Sequence, residues 1–244
     1  HAAIAAAIAT IDPGVTRVSG ASRTDSGVHA SGQVVFFDPM RTIEPRGWVL
    51  GLNSRLPNDV AVRAARLVPR GLRPGDVSVG KRYRYLVLRD LMRDPLLDRF
   101  AWRITDPLDL DRMQREADAL LGTHDFKAFR SSKDERTATA RTLTSVALRV
   151  GDDDAFTGPR WRDPRLFSIT VDGTAFLHNM VRIIVGTLVD VGRGRCEPGV
   201  VARGFDTGDR NRLGMTAPAH GLHLEEVQLD EAAIAMEGEV SRWP

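Results

Sequence analysis

Apolar residues recur along the chain with periods that change from segment to segment. Ile4, Ile8 and Ile11 fall at helical spacing from the first residues onward, and Asp12-Pro13-Gly14 then reads as a turn. A short strand is expected over Val15 to Val18, a polar loop of small residues from Gly20 to Ala30, and a strand again from Gln33 to Phe37. Pro45 suits the first position of a helix running towards Leu56. Pro57-Asn58-Asp59 turns into a strand over Val60 to Ala65, and the Gly/Pro-rich stretch from Pro69 to Gly80 reads as loop.

From Lys81 to Leu88 the pattern alternates, with Tyr83, Tyr85 and Val87 on one face and Arg82, Arg84, Leu86 and Leu88 on the other. Charges and prolines between Asp94 and Pro107 suggest a boundary, giving an N-terminal half of residues 1–105 and a C-terminal half of residues 106–244. A helix is expected from Asp109 to Gly122 with Met113, Ala117, Leu120 and Leu121 inward, followed by strands over Leu143 to Val150 and Leu166 to Val171. The connection between these strands carries Asp152-Asp153-Asp154, a triplet that reads as a solvated turn because no metal-ligand spacing accompanies it. A helix over Ala175 to Val191 and a strand over Leu222 to Leu229 close the pattern. Mixed elements joined by hairpin-length connections favour an α+β fold with mostly antiparallel sheet.

Composition narrows the chemistry. No apolar run reaches the roughly 18 residues that a membrane helix needs, and the simplest setting is cytoplasmic. The single cysteine, Cys196, rules out an internal disulfide or a Cys-based zinc cluster. Neither GxGxxG nor GxxxxGK[ST] occurs, which removes most support for a nucleotide-cofactor fold. The net charge is only +2, yet all but three of the 34 Lys and Arg residues are arginine, a side chain suited to phosphate forks and base stacking.

Two segments concentrate functional groups. Ser22-Arg23-Thr24-Asp25-Ser26-Gly27-Val28-His29 places a carboxylate, a guanidinium, three hydroxyls and an imidazole in one Gly-flanked loop. Asp25 there either serves chemistry or caps a turn through its own backbone. The helix from Ala175 is apolar around most of its circumference, with Arg182 in its middle. A buried Arg needs a partner, and Asp190 lies about 12 Å further along the axis, so a carboxylate must come from elsewhere unless the Arg reaches solvent. An Asp in such a pair is favoured in its ionised form, available as nucleophile or base. His178, one turn before Arg182, reads as a satisfied core or rim histidine, with no second metal ligand at suitable spacing.

Six segments in order, from about residue 2 to residue 229, resemble the tRNA pseudouridine synthase A family. GASRTDSGVHA at residues 20–30 is similar to the family's GxGRTDxGVHA, LNSRLP at 52–57 to LNxxLP, and KRYRY at 81–85 to KxYRY. LGTHDF at 121–126 is similar to LxGxHDF, FLHNMVRIIVG at 176–186 to FLHHMVRxIVG, and TAPAHGL at 216–222 to TAPAxGL. The resemblance implies a pseudouridine synthase fold of two ferredoxin-like halves around a cleft. It implies conversion of uridine to pseudouridine at positions 38 to 40 of the tRNA anticodon stem-loop, by a homodimer, with no cofactor and no metal. Asp25 would be the catalytic aspartate, Arg182 its ion-pair partner and Tyr83 the aromatic under the target base. Arg23, Thr24, His29, Arg84 and His178 would be candidates to bind RNA or the base. The competing expectation is a catalytically silent tRNA-binding or chaperone-like relative.

Three departures from the family pattern stand out. Ser22 and Ser26 replace a frequent Gly and Ala, the former costly if position 22 needs positive φ. Leu72-Arg73-Pro74-Gly75 stands where the family has FHAR. Because His1 already lies in a helical pattern, the strand and YDGTxFxGWQ stretch that usually precede it are expected to be missing.

Overall fold

The computed structural model describes residues 1–151, 163–235 and 241–242; the Asp152-Asp153-Asp154 triplet lies outside them. Two compact units emerge, one of residues 1–23, 33–79 and 229–244, the other of residues 24–32 and 80–228. Their limits differ from the division at 105/106 expected above, because the strand Ser78–Arg89 pairs over eight residues with Leu166–Gly173 and so goes with the later part of the chain. The loop bearing Asp25 goes with it as well.

In the first unit, α1 (Ala2–Ile11) buries Ala7 and Ile8 against Trp48 and Leu52 of α2 (Pro45–Asn53), with Ile4 and Ile11 alongside. This is the stripe that the isoleucine spacing implied. Asp12 ends α1, and its carboxylate accepts from the backbone N–H of Met40, Arg41 and Gly14 at 2.7, 2.9 and 3.2 Å. The first strand is β1 (Val18–Gly20), later than expected, paired antiparallel with β3 (Val35–Phe37). Of the strand expected over Val60 to Ala65 only β4 (Ala64–Ala65) forms, paired with β11 (Ser241–Arg242). The expected loop from Pro69 holds a short helix, α3 (Pro74–Val77), opened by Pro74 at its first position.

The second unit is built on a mixed sheet in the order β2 (His29–Ala30), β10 (Leu222–Leu229), β5 (Ser78–Arg89), β9 (Leu166–Gly173), β8 (Ala140–Val150), β7 (Gly122–Asp125), with β6 (Trp102–Ile104) also pairing with β5. β2 runs parallel to β10 and β6 parallel to β5, whereas β5–β9, β9–β8 and β8–β7 are antiparallel. β5 is buried on both faces, so Leu86 and Leu88 pack with Leu97, Ala101 and Leu166 while Tyr83, Tyr85 and Val87 are covered on the other side. Helix α4 (Leu110–Asp118) is capped by Asp109, whose side chain accepts from the Arg112 N–H at 3.0 Å. α4 ends before the expected Gly122, which opens β7 with φ 97°, and Leu121 points outward, 41% exposed, whereas Met113, Ala117 and Leu120 are buried as expected. A further helix, α6 (Val200–Thr207), has its N-terminal N–H groups met by the buried Glu116, which accepts from Gly199 and Val201. No helix among the described residues is long and apolar enough to cross a membrane.

Candidate active site

The site grows from α5 (Met180–Gly192), in which every residue except Arg182 is buried. The helix begins five residues later than the apolar pattern suggested. Asn179 adopts the left-handed conformation, φ 61° and ψ 4°, and breaks the helical path that would otherwise run back to Ala175. Arg182 therefore lies in the first turn of α5 and not in its middle.

The segment 214–218 lies along this helix at very short range. A Cβ on Gly186 would stand 1.9 Å from the Met215 carbonyl oxygen, so only glycine admits the approach. Thr187 Oγ1 accepts from the Gly214 N–H at 3.1 Å and Asp190 from the Met215 N–H at 3.0 Å. Arg182 then binds both polar groups of Ala217: its carbonyl accepts the Ala217 N–H at 3.0 Å, and its Nε donates to the Ala217 carbonyl at 2.8 Å.

The loop 24–32 is anchored to the sheet edge by independent bonds. β2 pairs with β10 at His29 with His223 and Ala30 with Leu224, and the N–H groups of Ser31 and Gly32 donate to the Leu224 carbonyl. Gly32 is pressed so close to Glu225 that a Cβ would collide with its backbone. Asp25 opens a tight turn closed by the Val28 N–H to the Asp25 carbonyl at 3.0 Å, with Gly27 at φ 84°. That conformation at the third position is the type II turn, which calls for glycine there. The backbone-capping alternative for Asp25 is thus met by its carbonyl, and its side chain is left for other work.

The carboxylate of Asp25 reaches α5. Its Oδ2 accepts from Arg182 Nη1 at 3.1 Å and its Oδ1 lies 3.2 Å from His178 Nε2. The side chains of Arg182 and Asp25 are 18% and 25% exposed, so the pair is partly shielded and open on one side. This is the outside carboxylate that a guanidinium on an otherwise buried helix demanded. His178 is in turn held by its backbone: its N–H donates to Asp134 Oδ2 at 2.9 Å and its carbonyl accepts from Ser131. The fork of Arg136 on Asp134, at 2.6 Å, holds that carboxyl well below the usual carboxylate range, with the His178 N–H adding to the effect against the opposing influence of burial.

The two tyrosines of β5 brace the segments on either side. Tyr83 packs edge-on to Phe176, centroids 5.0 Å apart, two residues before His178. Tyr85 donates to the Pro218 carbonyl at 2.7 Å, next to the carbonyl that Arg182 binds, and Gly221 lies against its ring. Burial pushes the Tyr85 hydroxyl far up from its ordinary value, which keeps it a neutral donor.

The remaining sequence candidates are placed variously. Arg84 is 4% exposed and lies 2.7 Å from Glu225, so burial takes it out of the set of side chains that could reach RNA. His29 is half-buried; its ring stacks on His223 and lies tilted against Phe100, and its Nε2 is 2.9 Å from the Arg99 carbonyl. Thr24 is half-buried, and Arg23 is exposed in the first unit. Ser22 has no positive φ; its backbone is held by Gln33 at 3.2 and 2.7 Å, so the loss of glycine there brings no strain. Among the described residues no group of three or more His, Cys, Asp or Glu could hold a metal ion. Asn179 and the Ala217 carbonyl, both on Arg182, were not evident in the sequence, because they depend on a left-handed residue and on a backbone approach.

A carboxylate on a tight loop, held by a guanidinium and an imidazole from the start of a buried helix, is a site for acid–base or nucleophilic chemistry on a polar substrate. Residues 117–230 match the model of the tRNA pseudouridine synthase family. The chain is 44% identical to tRNA pseudouridine synthase A of Myxococcus xanthus over 210 residues, covering 86% of this chain and 75% of that protein. It is 38% identical over 224 residues to the tRNA pseudouridine synthase A of Geotalea uraniireducens, covering 92% and 87%. The chain belongs to the tRNA pseudouridine synthase A family.

Proposed function

We propose that this chain is an isomerase that converts uridine to pseudouridine in tRNA, with Asp25 as the reacting carboxylate and the anticodon stem-loop, positions 38 to 40, as its target. The observation that carries the proposal is the convergence of Arg182 Nη1 and His178 Nε2 on the two oxygens of Asp25. The net reaction moves the C1′ bond from N1 to C5 of the base and the C5 hydrogen to N1. Atoms and electrons balance within the nucleotide, so the chemistry calls for a positioned base or nucleophile and no outside reductant.

A uridine within a stem must be extruded before a side chain can meet its glycosidic bond, at a cost of a few kcal/mol. Stacking on an aromatic offsets about 1 to 3 kcal/mol of it; Tyr83, 6% exposed and packed on Phe176, must be uncovered to serve as that aromatic. Asp25 then assists cleavage of the C1′–N1 bond, either by attack at C1′ or by taking a ribose proton, after which the freed base turns and rejoins through C5. Arg182 and His178, at 3.1 and 3.2 Å from its two oxygens, keep the carboxylate aimed. Arg23, Thr24 and His29 serve the RNA side, where phosphate and shape contacts dominate recognition of folded RNA. The family likeness supports a homodimer working in the cytoplasm.

The test is pseudouridine formation in an unmodified tRNA transcript, mapped by carbodiimide labelling and primer extension, with the native chain and Asp25→Asn compared. A signal in the anticodon stem-loop that disappears in the variant, with tRNA affinity retained, is the expected result. Equal activity in both would refute the role of Asp25, and binding without turnover by the native chain would indicate a silent relative.

A further inference from the structure

Asn179 is the single non-glycine with positive φ among the described residues. It occupies the N-cap position of α5, where an Asn side chain ordinarily accepts from an N–H of the first turn, yet it makes no such cap bond. Its Oδ1 turns instead to Arg182 and accepts from Nη1 at 2.8 Å. The same nitrogen donates its second hydrogen to Asp25, and Nε is bound by Ala217. The guanidinium plane is thus fixed by three acceptors from three separate segments of the chain.

From this geometry, and resting on the reading of Asp25 and Arg182 as the working pair, we infer that Asn179 is a positioning residue for the isomerisation. It clamps Nη1 so that Arg182 offers Asp25 one hydrogen bond, on Oδ2, and leaves Oδ1 to His178. A guanidinium free to rotate would close on the carboxylate as a two-point fork, the preferred Arg–carboxylate arrangement. Both oxygens would then be covered by the same cation and the His178 contact displaced. The residue type fits two demands at once. Asn accepts the left-handed conformation with little strain. It also presents a neutral acceptor, whereas an Asp there would compete with Asp25 for the same cation.

Two variants separate the side chain from the backbone. Asn179→Gly removes the acceptor but suits φ 61°, and Asn179→Ala removes the acceptor and strains the backbone. The full chain is assayed with an unmodified tRNA transcript for single-turnover rate, tRNA Kd and Tm. The Arg182 guanidinium ¹⁵N–¹H signals, assigned by their absence from Arg182→Lys, report whether rotation about Cζ–Nη1 is hindered. The expected result is an equal rate loss in both variants, about 10- to 100-fold as for other misplaced catalytic groups, with Kd unchanged and Nη1 rotation released. Only the Ala variant should melt lower. A Gly variant with native rate and hindered rotation overturns the inference, as does a rate loss that follows Tm, larger in Ala than in Gly. Asp25→Asn is run alongside. If it keeps full activity the catalytic pair itself fails; if it is silent while Asn179→Gly is native, positioning alone fails.

Discussion

Replacing Arg182 with Met keeps the helix-forming, apolar stem and removes the cation. Three acceptors lose their donor: Asp25 Oδ2, Asn179 Oδ1 and the Ala217 carbonyl. Breaking one side of a fully buried ion pair costs about 3 to 5 kcal/mol. Here Asp25 retains 25% of its side-chain exposure and its contact with His178, so water compensates in part and this contribution falls to about 1 to 2 kcal/mol. The Ala217 carbonyl belongs to a residue with no exposure and adds about 1 kcal/mol. The sum, about 2 to 3 kcal/mol, corresponds to a fall in Tm of about 4 to 12 °C for a chain of this size.

The rate should fall further than the stability does. Asp25 would keep one donor of two, and loss of a single preorganised donor in an active site costs about 100-fold or more. Affinity for tRNA should hold, because the guanidinium's bonds to Ala217, Asp25 and Asn179 are all internal. Arg182→Lys, with the charge but no fork, cannot serve Ala217 and Asp25 together and should lie between Met and the native chain. Differential scanning calorimetry, a tRNA-binding isotherm and single-turnover kinetics give the three quantities. Native melting and native rate in Arg182→Met would refute the ion pair. Lost affinity with a native rate at saturating tRNA would show that Arg182 is an RNA anchor and not the partner of Asp25.

Gly27→Ala places a side chain at φ 84° and brings its Cβ to 3.4 Å from Ala219, so the turn beneath Asp25 should distort, with a loss of about 1 kcal/mol and of most turnover; an unchanged rate would show that the turn does not set the carboxylate. His223 is held neutral by burial, which pushes its pKa down to about 4 from 6.5. The unfolded chain therefore takes up a proton that the fold refuses between these values, and stability should drop as pH falls from about 6.5 to 4, by up to about 3 kcal/mol, with His223→Gln showing a shallower fall in urea titrations across that window. The side chains of Arg84 and Glu225, 5% and 7% exposed, form a buried pair. Glu225→Gln should cost about 3 to 5 kcal/mol and the double change Arg84→Met with Glu225→Leu less, a ranking that denaturant unfolding would reverse if the pair were solvated.

The periodicity of the chain carried the long elements well, since Ile4, Ile8 and Ile11 do line α1 and every α5 residue but Arg182 is buried. It failed where a single backbone angle or a distant partner decides the outcome. Phe176 and Leu177 fall at helical spacing from Met180 and Val181, and nothing in that spacing marks the left-handed Asn179 that makes α5 start at Met180. Glu116 of α4 is buried as the cap of α6, accepting from Gly199 83 residues further on, a pairing that periodicity within α4 does not carry. Arg84 alternates with the tyrosines as if to face solvent, but a sheet covered on both sides leaves it no water to face, and a carboxylate on β10 meets it there.

Asp25 and Arg182 were legible separately for the same reason that they come together. A guanidinium in an apolar helix has no low-energy state without an anion, and a carboxylate beside a glycine that must adopt positive φ sits on a loop whose shape is set by its own backbone. Each residue is unfavourable or undirected alone, and 157 positions separate them. What brings them into contact is backbone packing that leaves no room for a Cβ: Gly32 against Glu225 at the loop, Gly186 against Met215 at the helix. Sequence shows those glycines but not the surfaces they meet. The charge pair therefore marks where the chemistry lies, and the glycines determine whether its oxygens arrive within hydrogen-bond reach.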